Sequence, residues 1–183
     1  MAAGAAIELE PIPGFASFPA FEESYSTFAE NSAGKAIFYS RFTREMAIAD
    51  DSGLVVPALG GAPGVHSARY AGPNASDSDR VLKLLREMKG KVGDARHARF
   101  VCVLTLALQG RVLAVLSGAV DGVICEEPRG SGGFGYDPVF YFPQLGRTYA
   151  EISREQKNEY SHRGRAFRKL AAILSSPGAH QFI

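Results

Sequence analysis

The sequence predicts an α/β fold built on a mixed β-sheet, and three observations carry that expectation. Short apolar runs bounded by turn residues occur at residues 46–49, 96–108, 111–120, 123–125 and 139–142, with the length and composition of strands. Segments with apolar side chains at helical spacing and Ser or Thr at their starts occur at residues 27–43, 76–88 and 161–174. The pair Gln109-Gly110 separates two β-rich runs, which is the signal of a tight hairpin. In order the chain reads strand, helix, strand, helix, long hairpin, strand, helix. That alternation packs helices against a sheet.

Taken from the start, Ile7 and Leu9 suggest a short strand, cut off by Pro11 and Pro13. A loop carrying Glu22 and Glu23 leads to Thr27-Phe-Ala-Glu30, which has the form of a capping box. In the helix that follows, Phe28, Asn31, Lys35, Phe38 and Phe42 share one side, so Asn31 and Lys35 interrupt an apolar stripe. The strand at 46–49 is expected to stop at the acidic pair Asp50-Asp51, with a glycine-rich loop beyond it. Ser76 or Ser78 caps a helix carrying Val81, Leu82, Leu85 and Met88, ended by Gly90. The last helix turns Phe167, Leu170, Ala171 and Leu174 to the core.

Composition sets the class. At 183 residues the chain forms one domain, residues 1–183, large enough to bury a substantial core. An apolar content of 46% with 21% charged residues excludes a disordered chain. A net charge of +1 gives no polyelectrolyte basis for binding nucleic acid. Cys102 and Cys125 lack metal-ligand spacing and lie in apolar surroundings, as free thiols of a reducing compartment do. The longest apolar run, nine residues at 100–108, is too short to span a membrane. With no cationic segment among the first six residues, a soluble cytoplasmic protein is expected.

Four stretches carry candidate chemistry. Strand side chains alternate between faces, so only one of Asp50 and Asp51 faces a given site unless the chain bends at Ser52-Gly53. Lys35 is either a snorkelling edge residue or a cation aimed at an anionic ligand. Residues 130–137 hold four glycines, which let backbone amides approach an anion or a flat ring, and Phe134 and Tyr136 beside them suggest a slot for a heteroaromatic base. Finally Lys157, His162 and Arg163 belong to a cation-rich segment in which Ser161-His-Arg-Gly164 opens a helix, a favourable place for an anion or an acceptor-rich base. Carboxylates suited to Mg²⁺ beside cations suited to phosphate are the composition of a site acting on nucleoside polyphosphates.

Five blocks in register, Asp50-Asp-Ser-Gly-Leu54, Gly60-Gly-Ala-Pro-Gly64, Ser67-Ala-Arg-Tyr70, Gly133-Phe-Gly-Tyr-Asp-Pro138 and Ser161-His-Arg-Gly164, resemble the inosine triphosphate pyrophosphatase, or Ham1-like, family. Thr27-Phe-Ala-Glu-Asn31 and Lys35 fit the same pattern. The resemblance implies an elongated two-lobed sheet with a cleft, and Mg²⁺-dependent hydrolysis of ITP, dITP and XTP to the monophosphate and pyrophosphate by a homodimer. It implies Asp51 as proton acceptor and metal ligand, with Glu22 or Glu23 completing the metal site. Ser52 would touch the substrate, Lys35 the phosphates, and Phe134, Gly135, Tyr136 and Asp137 the nucleoside. Lys157, His162 and Arg163 would contact the substrate, with the base as the expected point of contact. The family's opening strand, Thr/Ser-Gly-Asn phosphate loop and first helix have no counterpart in this sequence. Two expectations follow: an active enzyme whose recorded start lies downstream of the true one, or a truncated homologue that binds nucleotide or dimerises without turnover.

Overall fold

The computed structural model describes residues 8–176. Its strands are β1 (Ala47–Val55), β2 (His97–Leu108), β3 (Arg111–Ile124), β4 (Phe140–Phe142) and β5 (Arg147–Thr148), lying side by side in chain order in one sheet. Gln109 and Gly110 both take positive φ, as a tight hairpin turn between β2 and β3 requires. β4 pairs antiparallel with β3, Val123 opposite Tyr141, and β5 pairs antiparallel with β4, Tyr141 opposite Thr148. The α/β expectation holds, and after β2 each strand runs antiparallel to its predecessor. The reason is that each of these strands turns back beside its predecessor, without the long crossover a parallel pair needs.

The helices are α1 (Phe28–Tyr39), α2 (Asp77–Glu87), α3 (Arg154–Tyr160) and α4 (His162–Leu174). Thr27 caps α1 by accepting from the Glu30 amide, and the helix tightens into a 3₁₀ turn at Ser40–Phe42. Ser76 caps α2 in a reciprocal box with Asp79. Val81 and Leu84 are buried, as is Met88 at the C-cap, whereas Leu82 is exposed. Spacing of i, i+3 and i+7 puts Leu84 inside and leaves Leu82 pointing away. α3 was not expected; Ser153 and Gln156 cap it reciprocally. Of the strand expected at Ile7 and Leu9, Ile7 lies outside the described residues, and Leu9 belongs to no strand and is exposed.

β1 departs most from expectation. It does not stop at the acidic pair but runs through it to Val55. Ser52 and Gly53 after the pair favour a turn, yet Leu54 and Val56 beyond them are wholly buried and hold the strand in the core. Burying a leucine or valine side chain contributes about 1.5–3 kcal/mol, more than the weak turn preference of Ser-Gly.

The chain packs as two compact units. One comprises the described residues up to Asp51, Val103–Ser117, and the described residues from Arg165; the other comprises Ser52–Cys102 and Gly118–Gly164. The first buries Ala36, Ala47, Leu104, Leu106, Ala166 and Leu170. Ser32 is buried there too, its Oγ 2.9 Å from Thr105 Oγ1 and 3.1 Å from the Ala49 carbonyl oxygen. The second has a core around Leu54, Leu84, Met88, Phe100, Phe140 and Tyr149. No described helix is long and apolar enough to cross a membrane. Cys102 is buried and Cys125 half-buried, both as free thiols.

Candidate active site

In the first unit the loop before α1 is pinned to the helix. Asn31 is fully buried, its Nδ2 donating to the Tyr25 carbonyl at 3.2 Å and its Oδ1 accepting from the Tyr25 amide at 3.1 Å. Gly34 lets the Phe21 ring lie on the helix, because a Cβ there would stand 2.5 Å from Phe21 Cζ. Held this way, the loop delivers Glu23 and not Glu22 to the acidic strand. Lys35 Nζ donates to Glu23 Oε1 at 2.9 Å, to the Asp50 carbonyl oxygen at 2.6 Å and to Asp51 Oδ1 at 3.1 Å. Glu22 is exposed.

Asp51 is 6% exposed, and its Oδ2 is buried with no hydrogen-bond partner among the described residues. Burial pushes its carboxyl above the usual aspartate range, against the pull of Lys35. Burial also opposes the charge on Lys35, but hydrogen bonding to Glu23 and the Asp51 charge outweigh it and hold the ammonium above its ordinary value. Lys35 is therefore not a snorkelling edge residue: its ammonium bridges two carboxylates. Among the described residues no three His, Cys, Asp or Glu side chains converge as a metal cluster. The donor set nonetheless suits a hard divalent cation that keeps water and substrate oxygens in its shell, since it offers two carboxylates and a buried carboxylate oxygen with no donor.

The second unit holds a cavity of about 170 Å³. Ser52, Phe134, Gly135, Tyr136, Asp137, Lys157, His162 and Arg163, scattered over more than a hundred positions of sequence, all line it. Asp137 is nearly fully buried, accepting at Oδ2 from the Phe134 amide at 2.8 Å and from Lys157 Nζ. Burial raises its carboxyl above the usual range, with Lys157 acting in the opposite direction. His162 stacks on Phe100 with ring centroids 4.7 Å apart and planes 9° from parallel. Ser161 caps α4 by accepting from the Gly164 amide at 3.1 Å. The cavity is smaller than the roughly 300–1,000 Å³ of sites that enclose a whole drug-sized ligand, so it has room for part of such a ligand.

The two aromatics of the glycine-rich loop do not pair as expected. Tyr136 is buried and its hydroxyl donates to the Ser67 carbonyl at 2.9 Å, so its ring belongs to the core. Phe134 is 60% exposed, with Lys157 Nζ 4.1 Å from its ring centroid and Arg163 Cζ 5.8 Å from it. One ring is buried in the core and the other is exposed beside two cations. A buried phenol needs a hydrogen-bond partner, and Ser67 supplies one that no local sequence reading could have identified.

The Ham1 family model matches residues 1–173. The chain belongs to the Ham1 family. It is 52% identical over 164 residues to a dITP/XTP pyrophosphatase of Geobacillus kaustophilus, covering 90% of this chain and 80% of that protein. A HAM1 protein structure from Coxiella burnetii superposes with a TM-score of 0.81 at 45% identity, covering 86% and 81% of the two chains. The Ham1 protein of Staphylococcus aureus gives 0.81 at 43% identity, covering 87% and 82%.

Several lining residues of this Ham1-family cavity escaped sequence reasoning. Asp77 and Arg80, in the first turn of α2, line it together with Phe100 from β2. Nothing local marks Asp77, since carboxylates are favoured in the first turn wherever a helix begins. Phe100 read as one of many strand apolar residues. Only the fold brings them beside the glycine-rich loop.

Proposed function

We propose that this Ham1-family protein hydrolyses dITP, XTP and ITP to the nucleoside monophosphate and pyrophosphate. The observation that carries the reading is Asp51, a buried carboxylate with one oxygen held by Lys35 and the other without a donor among the described residues. The names of the relatives, dITP/XTP pyrophosphatases, support the substrate class. In the reaction the oxygen of a water attacks the α-phosphorus as the bond to the bridging oxygen breaks, and pyrophosphate leaves. Asp51 accepts the water's proton at Oδ2. Lys35 is freed from its carboxylate partners to meet the charge on the phosphate oxygens.

Glu23 and Asp51 would hold Mg²⁺, which when bound supplies charge neutralisation on the phosphates. Glu23, reached by Lys35, is favoured over the exposed Glu22 for this role. Phe134 would face the base, while Asp137 and Lys157, with His162 and Arg163, would read its edge. Ser52, Gly135 and Tyr136 would complete that wall. Donors facing a 6-keto oxygen would be left unpaired by an amino group, at about 1–3 kcal/mol for each buried donor. We take the working form to be a homodimer, as the family resemblance implies.

Pyrophosphate release from dITP, XTP and dATP, with Mg²⁺ present, tests the reading. Pyrophosphate is the expected product, with dATP the poorest substrate; orthophosphate release, or nucleotide binding without turnover, would overturn it. Asp51→Asn should abolish turnover while nucleotide binding measured by calorimetry survives. Retained activity in that variant would remove Asp51 from the role of base.

A further inference from the structure

The first turn of α2 makes two connections that the reaction scheme does not use. Asp77 Oδ2 accepts from the Gly135 amide at 2.6 Å, across 58 residues of sequence. Asp77 Oδ1 pairs with Arg80 Nη2, and Arg80 Nη1 donates to the carbonyl oxygens of Ala68 and Ala75, each at 2.8 Å. Asp77, Arg80, Ala68 and Gly135 all line the same cavity. One helical turn therefore ties together two walls that are far apart in the chain.

The effect on the glycine-rich loop is specific. Consecutive amides of that loop are held by carboxylates from different elements, Phe134 by Asp137 and Gly135 by Asp77. With the peptide groups on both sides of Phe134 held, its exposed ring has a set direction even though the loop is rich in glycine. Glycine gives such a loop access to many conformations, and each must be excluded by a contact.

We propose that Asp77 is a positioning residue for the base pocket, fixing the Phe134 ring by bridging the Gly135 amide and Arg80. The inference rests on the reading that the base binds in this cavity. The Gly135 amide, and after it Arg80, hold the Asp77 carboxyl below the usual range, consistent with a charged bridge. Its side chain is 46% exposed, so the bridge is worth less than a buried one.

The protein contains no tryptophan, which makes Phe134→Trp a single fluorescent reporter of the loop. Asp77→Ala in the F134W background should make the indole about twofold more quenchable by acrylamide. Without the reporter, Asp77→Ala should raise KM for dITP by roughly fivefold to tenfold with kcat little changed, the loss of one solvent-weakened charged hydrogen bond. Asp77→Asn should recover part of both effects, since its amide oxygen still accepts from Gly135. Unchanged quenching in the Asp77→Ala protein overturns the proposal, as does a fall in kcat with KM unmoved. Lack of dITP turnover by the wild-type protein would sink the functional reading alone, because the fluorescence test needs no substrate.

Discussion

Gly133 is the position where one methyl group tests how the pocket is held. Its φ is +71°, and a Cβ there would lie 2.1 Å from Asp137 Oδ2 and 2.9 Å from Asp137 Cγ. Two costs add in Gly133→Ala. A left-handed alanine costs about 1–2 kcal/mol. The Asp137 carboxylate must also move off the Phe134 amide and Lys157, and losing a hydrogen bond to a charged group costs about 1.5–3 kcal/mol. The sum, about 2.5–5 kcal/mol, corresponds to a fall in Tm of roughly 10 °C for a chain of this size. Gly135→Ala is the stability control, with φ +61° and nothing within 4 Å of its Cβ. It carries only the backbone cost, a fall of about 4 °C. Differential scanning calorimetry measures both, and KM for dITP should rise in Gly133→Ala. Equal Tm losses in the two variants would refute the argument, because the clash with Asp137 would then contribute nothing.

Two further outcomes follow from buried charges. Arg96 is 9% exposed and donates to the carbonyl oxygens of Ile124 at 2.6 Å, Cys125 at 2.5 Å and Lys91 at 3.0 Å. Arg96→Met should lower stability by about 3–4 kcal/mol, read as a lower urea midpoint, and Arg96→Lys should recover little because an ammonium cannot span those acceptors. A midpoint within experimental error of wild type would mean that water satisfies the carbonyls. Asp137 has a folded pKa raised above its unfolded value, so its contribution to stability is fully present below the unfolded pKa, about 4, and is lost as pH rises through the folded value. The stability of wild type relative to Asp137→Asn should therefore decline as pH rises above about 4 through the folded pKa; a rise there would contradict the raised pKa.

Much of the fold was legible because local rules and burial agree. The Thr27 and Ser76 caps, the Gln109-Gly110 turn and the start of α4 lie within a residue or two of where spacing puts them. Reading failed where burial overrode local preference. β1 runs through Asp50-Asp51-Ser52-Gly53 because Leu54 and Val56 anchor its far end in the core. α3 was missed although Ser153 and Gln156 carry a capping signal, because seven residues bearing several charges show no apolar stripe.

For the candidate site, the sequence by itself determined which residue types were available: the acidic pair, Lys35, the glycine-rich loop and the cations from Lys157 to Arg163. Motif spacing can do this, since it reflects chemistry that is local in the chain. Tertiary structure alone decided that Glu23 meets Lys35 while Glu22 faces solvent, and that Tyr136 belongs to the core while Phe134 faces out. It alone brought Asp77 to Gly135. Neighbouring residues of like chemistry are indistinguishable by type. What separates them is the direction each side chain takes when distant elements pack, and that direction is set by burial and by the need to pair every buried polar group.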